Sequence, residues 1–172
     1  MGSIWQSADR VLSTWSNFFI GELGAAAALA GLLFVSVSMN QARILELGRM
    51  ADRGLEVLAM LLLVLVVSSL PLIPGQPLRL LGGEILGAGV AALGIIVVLE
   101  RTYLRHLDPV HRRRSVEMIW INRVAVALIA LAGLMLLWRG NGVGLYLMPP
   151  GILLSFVAAG MNAWVLLIEI NR

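Results

Sequence analysis

Apolar residues gather into five long runs, at about 18–41, 55–74, 80–100, 119–138 and 146–169, and the stretches between them hold most of the charge. Each run is roughly 20 residues or slightly more, the length a helix needs to cross a ~30 Å hydrocarbon core. Backbone groups at membrane depth must be satisfied within the segment, so such runs fold as helices. The pattern predicts an all-α, polytopic transmembrane helix bundle of five spans, with 1–172 as a single membrane domain. Ahead of the first run, Ile4, Trp5, Ala8, Leu12, Trp15, Phe18 and Phe19 recur at helical spacing, with Ser7, Asp9, Arg10, Ser13 and Ser16 largely between them. This spacing predicts an N-terminal amphipathic helix over 1–17, lying in the membrane interface. The segment lacks the basic n-region and small-residue cleavage site of a signal peptide. Trp120, Trp138, Tyr146 and Trp164 fall near run ends, where aromatic belts form.

Composition agrees with the pattern. Of 172 residues, 59% are hydrophobic and 13% charged, with a mean hydropathy of +0.90. A soluble domain typically carries about a quarter charged residues. The pI near 10.5 does not point to nucleic acid, which needs a basic face on a soluble domain. All thirteen basic residues are Arg, and they sit between the spans. Ten lie in the 1–2 connection, the 3–4 connection and the C-terminus, against Arg10, Arg79 and Arg139 on the other side. By the positive-inside rule the N-terminus is outside and the C-terminus cytoplasmic. With no cysteine, disulfides and thiol chemistry are excluded.

Glu22 and Glu84 stand out as ion or proton site candidates. Each lies about four residues into an outside-to-inside span, beside small residues: Gly21-Glu22-Leu-Gly24 and Gly83-Glu84-Ile-Leu-Gly87. One reading is a carboxylate pair at shared depth in the outer leaflet, binding a cation or proton. The other is that each is a first-turn acid held by the helix dipole. The pairs Gly24/Ala28, Ala27/Gly31, Gly83/Gly87 and Ala88/Ala92 have the small-xxx-small spacing of tight helix crossings. A second polar set, Ser36, Ser38, Asn40 and Gln41, lies at the inner end of the first span, and Asn162 in the fifth span could bond across to it. That set fits either a water-lined path or interhelical hydrogen bonds. Ser68, Ser69, Pro71 and Pro74 interrupt the second span, either freeing carbonyls for an ion or ending the helix before the turn Pro74-Gly75-Gln76-Pro77.

The 3–4 connection holds Arg105, His106, Asp108, His111 and the run Arg112-Arg113-Arg114. Such basic segments attract anionic lipid heads, at about 1 kcal/mol per residue. The two histidines lack the i, i+4 spacing of a helical metal site, so no metal or other cofactor is implied. Gly140-Asn-Gly-Val-Gly144 follows no strand and reads as a turn rather than a nucleotide loop. No nucleophile–base set shares one side of the membrane, which argues against an enzyme.

Three segments carry a resemblance: Gly24-Ala-Ala-Ala-Ala-Leu-Ala-Gly-Leu-Leu-Phe-Val-Ser-Val-Ser38, Ile73-Pro-Gly-Gln76 and Asn162-Ala-Trp-Val-Leu-Leu-Ile-Glu-Ile-Asn-Arg172. In these, and in the order of spans over its whole length, the chain resembles a family of small bacterial membrane proteins, some labelled "modulator of FtsH protease". The resemblance implies a multi-pass protein of the bacterial cytoplasmic (inner) membrane and a possible membrane-protein partner. It brings no catalytic residues. It singles out Glu169 at the cytoplasmic end, placed to pair with an Arg of an inner loop.

The expected function is a homo-oligomeric channel or transporter for ions or small solutes. The alternative is a non-catalytic regulatory subunit that binds another membrane protein, such as a membrane protease. The Arg distribution yields a direct test of topology. A fluorescent protein that matures only in the cytoplasm should be bright when fused to the C-terminus and dark when fused to the N-terminus. The reverse result overturns the orientation.

Overall fold

No proline precedes Pro71, so nothing in the first part of the chain removes a helical N–H donor. The computed structural model describes residues 2–40, 49–104 and 112–170, and the side chains of 10–40, 54–101 and 119–164. In it the first helix, α1, runs unbroken from Gly2 to Met39 over 38 residues. The predicted interfacial segment and the first span are thus one helix, with no boundary at 17/18. Hydroxyls that might disturb it turn back on their own backbone: Ser13 Oγ and Thr14 Oγ1 donate to the Arg10 carbonyl at 2.9 and 2.8 Å. Such local bonds satisfy polar groups without breaking the helix. Where its side chains are described, from Arg10 on, Leu12 and Phe19 are buried and Ser13, Thr14 and Asn17 exposed. Its apolar side is covered by the chain itself: Trp15 meets Tyr146 edge to face, with ring centroids 5.1 Å apart.

The other helices are α2 (Arg49–Ser69), α3 (Leu78–Leu104), α4 (Arg112–Arg139) and α5 (Met148–Ile170). A 3-10 turn, Leu70–Leu72, ends α2 at Pro71, and a 3-10 segment, Gly142–Leu147, leads into α5, whose first turn takes Pro149 and Pro150. The prolines therefore end α2 rather than break a continuing helix. Among the described residues there is no strand, and five helices are long and apolar enough to cross a membrane: Arg10–Met39, Gly54–Leu72, Leu78–Arg101, Ile119–Arg139 and Gly142–Trp164.

Helices α2, α3, α4 and α5 close a ring: each packs on the next, and α5 returns to α2. The diagonal partners, α2 with α4 and α3 with α5, have no such packing, while α1 lies outside the ring against α2. Met60, Leu81, Ile85, Ile129 and Ile152 are fully buried and fill the middle. The tightest contact is α3 against α4. A Cβ on Gly82 would overlap Leu137 N, and one on Gly133 would lie 2.5 Å from Leu86 N. Gly89 faces Ala130, where a Cβ would come within 3.1 Å. These positions run in opposite directions along the two helices, so α3 and α4 are antiparallel.

Of the small residues the spacing suggested, Ala88 and Ala92 pack into the core, but most of the others do not. Gly24, Gly31 and Gly87 have nothing within 4 Å of an added Cβ, and Gly83 has only ordinary contact with Leu137. Spacing finds small pairs but not the face on which they lie. Gly133→Ala should lower stability by about 1–3 kcal/mol through overpacking. Gly87→Ala should be neutral, or stabilising by up to about 1 kcal/mol through helix propensity. Thermal unfolding in micelles, followed by tryptophan fluorescence, separates the two; equal behaviour would contradict the close contact.

Candidate functional site

The apolar face of each ring helix continues, one turn on, into a polar side chain. On α3 the buried positions Ile85, Ala92 and Ile96 lead to Glu100. On α4, Asn122 precedes Ala125, Val126 and Ile129 on the same face. On α5, Ser155, Ala158 and Ala159 lead to Asn162, and on α2, Glu56 stands one turn before Met60. All four lie within a few residues of the same end of their spans, the end where α2 and α4 begin and α3 and α5 finish. That interior end of the ring is polar. Glu100 is 2% exposed, Asn122 1% and Asn162 4%.

Two contacts join three of these residues, and Arg123 with them, across helices. Arg123 donates from Nε and Nη2 to one oxygen of Glu100, Oε2, at 3.0 and 2.7 Å. The pair joins α3 to α4, with the Glu100 side chain 1% exposed and that of Arg123 37%. Asn122 donates from Nδ2 to Glu56 Oε1, crossing the ring between the diagonal helices α4 and α2. Adjacent residues of α4 thus reach two acids on two other helices.

Two acceptors at this end of the ring are left without donors. Glu100 Oε1 and Asn122 Oδ1 are buried and accept no hydrogen bond. A buried acceptor without a donor costs about 1–3 kcal/mol, more when charged. Ionisable groups inside spans are costly and mark functional sites by default. What the arrangement can do chemically is offer oxygen atoms to a ligand that brings positive charge.

The residues singled out from sequence fall elsewhere. Glu84 is half-buried near the other end of α3 and accepts a hydrogen bond from Gln76 Nε2. Gln76 Oε1 and Ser68 Oγ are buried there without partners. Glu22 is half-buried in the interior of α1, and Glu84 lies beyond the first turn of α3, so neither is a first-turn acid. The dipole explanation fails because α1 began long before its span. Nor are the two acids brought together in one chain, since α1 packs on α2 while α3 packs on α4.

Asn40 Nδ2 donates to the Ser36 carbonyl of its own helix at 2.9 Å, and Ser38 is exposed. Among the described residues, no hydrogen bond joins this set to Asn162. Gln41, Arg105, His106 and His111 lie outside the described residues. Arg112, Arg113 and Arg114 open α4, and Glu169 lies on α5; their side chains lie outside those described. Glu56, Glu100, Asn122 and Arg123 were missed as a site. The signal was there: each extends an apolar stripe by three or four residues.

Compared with protein-family models, curated proteins and solved structures, the chain matches none. Arg123→Ala strands a buried carboxylate and should cost about 2–3 kcal/mol, below the usual 3–5 because Arg123 is partly exposed. Adding Glu100→Gln should restore part of that loss. An additive double variant in equilibrium unfolding would show that the pair carries no coupling.

Proposed function

We propose that this membrane protein is a transport protein, a homo-oligomeric channel or transporter for ions or small solutes, and that its working site is the Glu56–Glu100–Asn122–Arg123 cluster. The observation carrying this reading is Glu100: a carboxylate buried inside a ring of membrane-length helices, one oxygen held by Arg123 and the other without a donor. A purely structural acid has no need of that free oxygen. Because the ring's centre is filled by Met60, Leu81, Ile85 and Ile129, passage through one chain requires the helices to part. This favours a gated carrier over a static pore.

The homo-oligomer has support in α1. Asn17, Gly21, Gly24, Ala28, Gly31, Val35 and Ser38 follow a three-four spacing, and all are exposed. They lie opposite Phe19, Ala26 and Ala30, the face that packs on the protein. Small residues in this pattern suit close helix association in lipid. The same face supports a second reading, a regulatory subunit docked on another membrane protein. Under the proposed orientation, with the N-terminus outside, the cluster sits toward the cytoplasm of a bacterial inner membrane. There Arg105, Arg112, Arg113 and Arg114 would meet anionic lipid heads.

Flux from proteoliposomes decides between the readings. Transport predicts ion or solute flux that Glu100→Gln reduces by about tenfold or more, a loss equivalent to about 1.4 kcal/mol. No flux from a folded, reconstituted protein, together with stoichiometric copurification of another membrane protein, supports the regulatory reading instead.

A further inference from the structure

From the same cluster we infer that the ligand is a monovalent alkali cation, held by Glu100 Oε1 and Asn122 Oδ1 beside the Glu56 carboxylate. The inference rests on the transport reading for its physiological meaning, but not for its chemistry.

The donor set decides the class of ligand. Every atom offered is oxygen, which suits hard cations and not the softer metals that seek nitrogen or sulfur. Asn122 is the independent witness. It is 1% exposed, and its amide is oriented by the hydrogen bond that Nδ2 gives Glu56 Oε1. With Nδ2 committed to Glu56, Oδ1 is left as an acceptor in the interior, and it has no donor. Glu100 repeats the arrangement with charge: Arg123 takes Oε2 through two N–H groups, and Oε1 is left over. An anion is disfavoured, since both free atoms are acceptors and Glu100 and Glu56 beside them are acids.

The valence follows from the strength of these acceptors. Glu100 already shares its charge with a guanidinium, and the Asn122 carbonyl is neutral. A divalent ion usually takes several full carboxylates, or keeps its water. Among the described residues, no group of three or more His, Cys, Asp or Glu side chains could hold a metal ion. A weak, part-compensated oxygen set matches an ion of single charge. Arg123 then has a defined role: it is a tethered cation that offsets the charge of Glu100 and stops a second ion from binding there. Asn162, buried at the same end of α5, brings a further amide to this end of the ring.

The test uses the full-length protein in nanodiscs. Thermal unfolding is read by tryptophan fluorescence in sodium, potassium or N-methylglucamine chloride at equal ionic strength. Sodium or potassium should raise the midpoint saturably over N-methylglucamine. Glu100→Gln, which preserves shape, should abolish the shift or weaken half-saturation by about tenfold or more. Thr14→Ala, exposed near the start of α1, should leave it unchanged. If Glu100→Gln does not fold, equilibrium dialysis of radioactive sodium against wild type replaces it. Binding displaced by potassium but not by N-methylglucamine supports the site. Identical midpoints in all three salts, or a shift retained in folded Glu100→Gln, overturn it. Flux without saturable stabilisation refutes the cation site and leaves the transport reading. Stabilisation without flux does the reverse.

Discussion

Backbone contact between α3 and α4 at Gly82 and Gly133 sets the register on which the rest of the ring depends. With no Cβ at either position, the helices approach until backbone meets backbone, and Gly89 against Ala130 continues the line. Following the two antiparallel helices further along that line brings Glu100 beside Arg123, where the ion pair forms. A slip of one turn would part the acid from its guanidinium and leave both charges at the edge of the hydrocarbon. Gly151 against Ala125 and Ile129 performs the same service between α4 and α5. In lipid, where no hydrophobic force drives helices together, such close contact is a main source of cohesion.

The polar end of the ring runs against that cohesion. Filling the same volume with apolar side chains is often as stable as a buried ion pair, or more so. The interior between the ends is packed with large apolar groups in just this way, so the chain can build such a core. Four helices nevertheless each place a polar residue at one end, and two of the acceptors there lack donors. Stability alone gives no reason for this distribution. Ligand binding does, because unsatisfied oxygens in a dry site are what a cation exchanges its hydration for.

Helix α1 plays a different part. It adds no wall to the ring, touching mainly α2 and the 70–72 turn, with Trp15 reaching Tyr146 of the 142–147 segment. Its outer face carries Gly21, Gly24, Ala28 and Gly31, with Val35 toward its C-terminal end. A lipid-facing helix gains nothing from glycine, which weakens helix propensity. The division is therefore between a four-helix body that holds the polar site and a fifth helix whose free face suits association.

The spans and the class were legible in the chain because lipid imposes one rule, internal satisfaction of the backbone over about 20 residues, although the joining of 1–17 to the first span was not. The turn at Pro74 was legible for a similarly local reason, since proline and glycine act on their own backbone. Which polar residues meet was not. Glu22 and Glu84 drew attention through matching neighbours, yet they sit on helices that do not pack together. Glu56 and Asn122, far apart in sequence, touch across the ring. Periodicity assigns a residue to a face of its helix, but only packing decides which neighbour that face meets. The sequence by itself determined an all-α chain of five membrane-length helices. Tertiary structure alone decided the site, because helix order around the ring and backbone register are products of side-chain fit between distant segments.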